Sequence, residues 1–494
     1  MTTPINSGEP LVIASKHPTD GPLYQRIAAH IRAAILAGDL PSNSRLPSTR
    51  TMARDHNCSR YPVNAAIDLL KSEGIVESRH GSGIYVAQEL VNMSRRTPSK
   101  PLASACIEQK SCDQKKIKDS LPYTNDIPTG CGIFSHHPDI SLFPFKVWSN
   151  LLKEYWHAPP EKDIREQDPA GFRPLREAIA NHLALWRGLS VSGDDIVITS
   201  GTTPALNLVT RIVLQKNDKA LVEEPGFRQA MHALNLIGAE AIPIPVDDNG
   251  LVFDSLLKNT QAAKAAYVTP SHQHPLGSVL SIRRRQELLY WADNNDAYIF
   301  EDDHDAEIRY NGLPLAPLKS IDQNDRTIYL GTFSKTMFHS LRLGFMIPPK
   351  QLMTKILAEN RRQNHCISIT EQPAMARFIA EGHFARHVRR VRTLYERRRN
   401  ALVDLLRNKL KKGIQLHYDE AGTHVVLVFD RSALPKSDWI VSRALAKDHI
   451  NVTPLSDYYY RKKNAKHGLV IGYGSTEIKD YESAVTKIAT SLYC

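Results

Sequence analysis

Six short apolar runs recur along the middle of the chain, and each closes on polar residues: DIVITSG, KALVEEPG, AAYVTPSH, AYIFEDD, RTIYLGTFS and RLGFMIPP. Stretches of helical character separate them. A chain written this way predicts a largely parallel sheet covered by helices, with its chemistry at the carboxyl ends of the strands. The alternation starts near Ile127 and gives way, from about Lys350, to helices followed by short strands such as THVVLVFD and GLVIGYG. That change marks a smaller α+β part at the C-terminal end.

The first ninety residues follow another plan. Ile27, Ile31 and Ile35 lie at i, i+4, i+8 and form one apolar stripe on a helix that Gly38 ends. In LPSTRTMARDHN, Ser48 is placed to cap a second helix. In SRYPVNAAIDLLKSEG, Ser59 is placed to cap a third, with Pro62 tolerable in the first turn. Val63, Ile67, Leu69 and Leu70 give that third helix a buried side, and IVESRHGSGIYVA reads as two strands around a glycine-bearing tip. Three helices and a hairpin in this order make a winged helix-turn-helix. Its third helix would present Ser59, Arg60, Tyr61 and Asn64 to a major groove. Arg45, Ser48 and Arg50 are candidates for phosphate contacts, and the tip residues Arg79 and His80 for a minor groove or the backbone. Arg60 and Asn64 are the favoured base contacts. The alternative is a small interaction domain built on a helix hairpin.

Composition bounds the rest. At 494 residues the chain is long enough for two or three domains, and 42% hydrophobic with 23% charged residues is a globular balance. A formal net charge of +11 suits a polyanionic partner or serves only solubility. The six cysteines are scattered with no CxxC pair, against a disulfide scaffold or a structural zinc and consistent with a reducing cytoplasm. The N-terminus has no signal pattern and no run is apolar for long enough to span a bilayer, so a cytoplasmic protein is expected. Residues 89–126, rich in Ser, Lys, Pro and Gln, read as a flexible linker with a root-mean-square span of roughly 35 Å. The expected domains are 20–88 (DNA-binding), 89–126 (linker) and 127–494, the last with a large part at about 160–349 and a small part at about 350–494.

The polar motifs fall at the strand ends. Gly201, Thr202 and Thr203 stand between a strand and a helix, where outward-facing amides and the helix dipole suit a phosphate; many such turns bind nothing. Phe227 either stacks on a flat ring or packs in the core. TPSHQHPLG reads as a Pro-rich turn exposing His272, Gln273 and His274. After an apolar strand come Asp302, Asp303, His304, Asp305 and Glu307. Such a cluster can bind a metal, but DDHD has no partner at a defined spacing and no metal is expected. Alternatively, one buried carboxylate can keep a pyridine nitrogen protonated. In GTFSKTMFHSLRLG, Lys335 follows two hydroxyl residues and precedes Arg342. A lysine that bonds an aldehyde needs a strand end and a phosphate clamp beside it, which Thr332, Ser334 and Arg342 supply. The Arg-rich stretch 386–399 reads as a solvated helix face.

Two resemblances rest on these residues. LPSTRTMARDHNCSRYPVNAAIDLLKSEGIVESRHGSGIYV resembles the DNA-binding domain of the GntR family, with RLPS, SR, EG and the GSG wing in order. From about Phe143 onward the chain resembles the fold-type-I aminotransferases that use pyridoxal 5'-phosphate. The joined pair is similar to the MocR/GabR subfamily of GntR regulators, carried by DISLFPFKVW, DPAGFRPLREAIANHLALWRG, EEPGF, TPSHQHPLGS, EDDHDAE, TFSKTMFHSLRLGF and GHFARHVRRVRTLYERRR. The resemblance implies that Lys335 is the Schiff-base lysine, Asp302 pairs with the ring nitrogen and Phe227 stacks on the ring. Thr202, Thr203, Ser334 and Arg342 would hold the phosphate. His304 stands where the family usually has a tyrosine that contacts the ring oxygen, and an imidazole can still donate a hydrogen bond. HPLG replaces PTG, and TTPAL replaces QQAL. No arginine stands near HGLVIGYGS, where related aminotransferases bind a substrate carboxylate; Arg228 is a possible substitute.

The resulting expectation is a pyridoxal-phosphate-dependent regulator that binds double-stranded operator DNA. It would sense a small amine or amino acid, or pyridoxal phosphate itself, as a head-to-tail homodimer without net catalytic turnover. The alternative is an active aminotransferase carrying a DNA-binding domain.

Overall fold

The computed structural model describes residues 23–86 and 132–493, apart from 38, 42, 73–75, 80–81, 135, 166–167, 253–262, 306, 311–315, 363–366, 411–412, 431 and 435. His80 and the whole of 89–126 therefore lie outside the described residues. The chain divides into two units, Met1–Pro122 and Tyr123–Cys494.

In the first unit, α1 (Leu23–Ala37), α2 (Thr49–Asp55) and α3 (Arg60–Ser72) precede the strands β1 (Val76–Arg79) and β2 (Gly83–Val86). Ile27 and Ile31 of α1 pack on Val63, Ile67 and Leu70 of α3, and Leu46, Met52, Val76 and Val86 close the core. Ser48 does cap α2, accepting from the Thr51 amide at 3.1 Å. The two strands pair antiparallel, Val76 opposite Val86 and Arg79 opposite Gly83.

The second unit is built on an eight-stranded sheet. Its strands are β3 (Val197–Thr199), β4 (Lys219–Glu224), β5 (Glu240–Asp247), β6 (Gly250–Leu251), β7 (Ala263–Val268), β8 (Tyr298–Asp302), β9 (Thr327–Thr332) and β10 (Gly344–Ile347). Their spatial order is β3-β10-β9-β8-β7-β4-β5-β6. Strands β9, β8, β7, β4 and β5 are parallel neighbours, whereas β10 and β6 run against theirs. The sheet is thus mixed at both edges and parallel at its centre. All six apolar runs read from the sequence are strands. The sequence pattern did not reveal β5, because EAIPIPVD carries Pro243 and Pro245. It sits near the sheet edge, paired to β4 along its length and to β6 only at Val246 and Asp247, where prolines interrupt little of the ladder.

Alternating side chains of each strand feed two layers. Ala265 and Tyr267 of β7 join one core with α6 (Thr202–Val213), α7 (Arg228–Ile237) and α9 (Lys350–Arg362). Ala266 and Val268 face the other side, against Leu288, Trp291 and Ala292 of α8 (Ile282–Asn294). On that same side α4 (Phe145–His157), α5 (Arg173–Arg187) and α10 (Gln372–Ala380) pack on Ile198, Tyr329, Phe345 and Ile347. Helices across 350–380 therefore share core with the large sheet.

The C-terminal part has the long helix α11 (His383–Lys409), α12 (Asp438–Ala446) and α13 (Tyr481–Tyr493) around an antiparallel sheet. That sheet runs β11 (Ile414–His417), β12 (His424–Phe429), β14 (Gly468–Gly472), β13 (Thr453–Pro454). The solvated reading of the Arg stretch is corrected in the middle of α11. Arg398 and Arg399 are buried, bound to Asp139 at 2.7 Å and Glu420 at 2.9 Å. Arg392 lies 4.2 Å over the Trp186 ring and donates to the Glu307 carbonyl. Arginine side chains at helical spacing reach both the solvent and the interior, and sequence alone does not say which. No helix among the described residues is long and apolar enough to cross a membrane.

Candidate functional site

Five of the polar strand ends meet around one cavity of about 300 Å³. Thr202, Thr203, Phe227, Asp302, His304, Ser334, Lys335 and Arg342 all line it. The segments are far apart in sequence and are joined because β3, β4 and β7, as well as β8 and β9, end on the same side of the sheet.

At one end, Gly201 opens α6 with φ +109°, a backbone conformation that favours glycine over any side chain. The helix N-terminus, with Thr202 and Thr203 in its first turn, therefore faces the cavity with unpaired amides and a positive dipole end. Thr332 Oγ1 accepts from the Ser334 amide at 3.2 Å, which turns the chain so that Ser334 and Lys335 both reach the space. Arg342, in the left-handed region at φ +48°, closes the same end. Two hydroxyl pairs, a helix terminus and a guanidinium make a phosphate-shaped cradle.

At the other end lies Asp302, buried at the tip of β8. Tyr267 donates to its Oδ2 at 2.6 Å, and Oδ1 has no partner. Burial raises the Asp302 pKa, and the unpaired oxygen is the strongest mark of a missing cationic or N–H donor. Phe227 lies nearly parallel to Tyr267, at 20° and 6.1 Å between ring centres.

The acidic run divides three ways. Asp302 serves the cavity. Asp303 turns inward to Arg187 at 2.5 Å and to the Tyr329 hydroxyl at 2.7 Å. Asp305 faces His272 and His304, each at 3.3 Å. Burial lowers the pKa of His304, but Asp305 and Asp302 beside it outweigh burial and raise it. Glu301, just before, accepts from the Leu318 and Lys319 amides at 2.7 and 2.9 Å.

The turn carrying His272, Gln273 and His274 is not exposed. His272 and Gln273 are buried and His274 lines the cavity. Gln273 donates to the carbonyls of Pro225 and His274, both at 2.8 Å, and so ties the end of β4 to this turn. The prolines had suggested a surface turn; a buried glutamine that bridges two loops reverses that. Near Lys335, His136 and His339 are lowered while His304 is raised. His136 is pushed down to about 3 by burial and then by Lys335, and His339 to about 4 by the same two causes. Ser200, Gln229, Thr269 and His339 line the cavity without having been foreseen, since single polar residues beyond a strand end carry no pattern. Arg228 is not at the cavity: it turns to Asp457 at 3.3 Å.

In the first unit Arg45, Ser48, Arg50, Ser59, Arg60, Tyr61, Asn64 and Arg79 are all exposed. Tyr61 is 83% exposed, in the first turn of α3. Arg79 is less free than the others. It pairs with Glu77 at 2.7 Å, donates to Asn43 at 2.7 Å and lies over the Tyr85 ring.

With the geometry described, comparisons become informative. Residues 149–476 match the family "Aminotransferase class I and II", and residues 23–86 match "Bacterial regulatory proteins, gntR family". The chain is 32% identical to the probable rhizopine catabolism regulatory protein MocR of Rhizobium meliloti, covering 96% of this chain and 94% of that protein. It is also 32% identical to the HTH-type pyridoxine biosynthesis transcriptional regulator PdxR of Corynebacterium glutamicum, covering 94% of each. Among solved structures, a Pyrococcus horikoshii kynurenine aminotransferase superposes with a TM-score of 0.68 at 24% identity, over 82% of this chain and 98% of that one. That likeness bears on the fold.

Proposed function

Because the chain belongs to the MocR/GabR subfamily of GntR-type regulators, a gntR-family module joined to an aminotransferase body, we propose that it controls transcription by binding operator DNA and holding pyridoxal 5'-phosphate. The observation that carries the second half is the unpaired, buried Oδ1 of Asp302 facing Lys335 and the Thr202–Thr203 helix end across one cavity. When bound, the cofactor supplies an aldehyde that amines can engage and a ring that draws electron density from them. Lys335 would hold that aldehyde. Asp302, kept in place by Tyr267, would keep a proton on the ring nitrogen, and Phe227 would cover one ring face. Thr202, Thr203, Ser334 and Arg342 would bind the phosphate, and His304 would donate to the ring oxygen.

An amine competing for Lys335's place, or the cofactor itself, would be the signal. Either shifts the DNA-binding state only through a difference in affinity between two arrangements of the protein. Two bodies would pair head to tail, so that two DNA-binding units act on one operator. Regulation is favoured over turnover by the walls of the cavity. Arg342 is the only guanidinium lining it among the described residues, and Arg228 is held by Asp457. An amino-acid carboxylate would find no second guanidinium there among the described residues.

The test is selection of bound fragments from random DNA with the full-length protein, followed by titration at moderate salt against unrelated DNA. Selected fragments should bind at least about a thousandfold more tightly; equal affinity would end the proposal. On a selected fragment, Arg60→Ala should cost about 1–3 kcal/mol if Arg60 reads a base. An equal loss on unrelated DNA would make it a phosphate contact. For the body, Asp302→Ala should weaken cofactor retention by about 1.5–3 kcal/mol, the worth of a charged hydrogen bond. Equilibrium dialysis of the bound visible absorbance measures it, and unchanged retention would remove Asp302 from the site.

A further inference from the structure

One polar cluster lies beside the wall that His304 contributes to the cavity. His272 Nδ1 and His304 Nε2 both aim at Asp305 Oδ2, each 3.3 Å away, and all three atoms lie within 4.8 Å of one another. Yet neither nitrogen makes an aligned hydrogen bond, and Asp305 Oδ1 is unpaired as well. Two imidazoles thus converge on one carboxylate oxygen as ion pairs without closing aligned hydrogen bonds, an arrangement that an ion held between them would complete.

The spacing suggests what. In a tetrahedral site with bonds of about 2.0–2.1 Å, neighbouring ligand atoms stand roughly 3.3 Å apart. Two of the three separations already have that value, and the third lies within 4.8 Å. The chemistry of the donors agrees: two imidazoles and one carboxylate suit borderline divalent ions rather than magnesium or calcium, which take oxygen ligands.

The site is also built rather than incidental. A Cβ on Gly422 would lie 2.3 Å from His272 Cε1, and one on Gly277 would lie 3.3 Å from its Nε2. Both glycines have φ beyond +80°, so backbone shape and ring position are fixed together. Packing of this kind is what orients a ligand before an ion arrives. His274 Nδ1 is unpartnered, and the His274 ring is 5.5 Å from that of His304.

We propose that His272, His304 and Asp305 form a binding site for a divalent transition-metal ion of the zinc class, set against the cofactor cavity and sharing His304 with its wall. An ion on His304 Nε2 leaves Nδ1 as the N–H-bearing nitrogen. Occupancy would therefore fix both the position and the tautomer of the His304 imidazole on the cavity wall. Cation level and ligand binding would act on the same side chain.

Full-length protein is stripped with a chelator, dialysed, and titrated with Zn²⁺ against a chromogenic chelator. One tight equivalent per chain is expected, falling at least a hundredfold in His304→Tyr and in Asp305→Asn. Zn²⁺ should also raise the thermal unfolding midpoint of the native protein and of neither variant, which provides a second readout should one variant fold poorly. Absence of a tight equivalent would overturn the site. Binding that survives both substitutions would do the same, placing the ion on other histidines.

Discussion

Lys335→Ala is expected to abolish covalent retention of pyridoxal phosphate. Lys335 lies just past the end of β9, on the cavity wall between the phosphate cradle and Asp302. Two imidazoles near it, the partly buried His136 and the more open His339, are pushed down to about 3 and about 4, first by desolvation and then by Lys335. Reduction with borohydride should fix the cofactor to the native chain, adding its mass to the peptide that carries Lys335. In the variant no peptide should gain that mass. Noncovalent binding through Thr202, Thr203, Ser334 and Arg342 should remain measurable, because the phosphate cradle does not include the lysine. Since Lys335 is only half-buried and sits at a cavity, the variant should fold. An adduct that persists on another residue would show that the aldehyde is held elsewhere and would sink the assignment of Lys335.

Much of this site was legible because strand ends advertise themselves. An apolar run followed by Gly-Thr-Thr, by Asp-Asp-His-Asp or by Ser-Lys announces both a strand and the face on which it stops. Residues whose role depends on a single such end, including Thr202, Asp302, Ser334 and Lys335, fell together in the structure as the pattern implied. Residues whose role depends on a second, distant segment did not. Nothing in DDHD tells that Asp303 faces Arg187 of α5 while Asp305 faces His272 of the turn after β7. Side-chain direction alternates along a chain, but which neighbour waits on each side is set by sheet order, and that order is not written locally. The same holds for His272 and Gln273, read as exposed because prolines and glycine usually mark surface turns. Their burial follows from packing against β12 residues such as His424, whose ring is 5.7 Å from that of His272. Likewise Arg228 was a plausible carboxylate partner by position, and Asp457, more than two hundred residues away, claims it.

The distant pairing with the largest consequence is Arg187 with Asp303. Both side chains are almost fully out of water, at 3% and 1% exposure, and 2.5 Å apart. Burial lowers the Arg187 pKa, but Asp303 together with Tyr329, Glu301 and Glu307 outweighs it and raises it, so the guanidinium stays charged across any accessible pH. Arg187→Met would leave Asp303 buried with the Tyr329 hydroxyl as its remaining donor among the described bonds. Breaking such a pair on one side is expected to cost about 3–5 kcal/mol. Arg187→Met combined with Asp303→Leu should recover a large part of that loss, because no charge is then stranded. All five tryptophans lie in the second unit, so their fluorescence during urea unfolding follows this unit alone. A single variant within about 1 kcal/mol of the native protein would mean that Asp303 takes up a proton or reaches water at little cost. The functional consequence comes from adjacency. Asp303 anchors the turn that begins with Asp302 and continues into His304, so a stranded carboxylate there loosens both groups that face the ring end of the cavity. Cofactor retention should therefore fall in Arg187→Met and return in the double variant, in step with stability. If stability returns while retention does not, Asp303 itself, beyond its charge, positions Asp302.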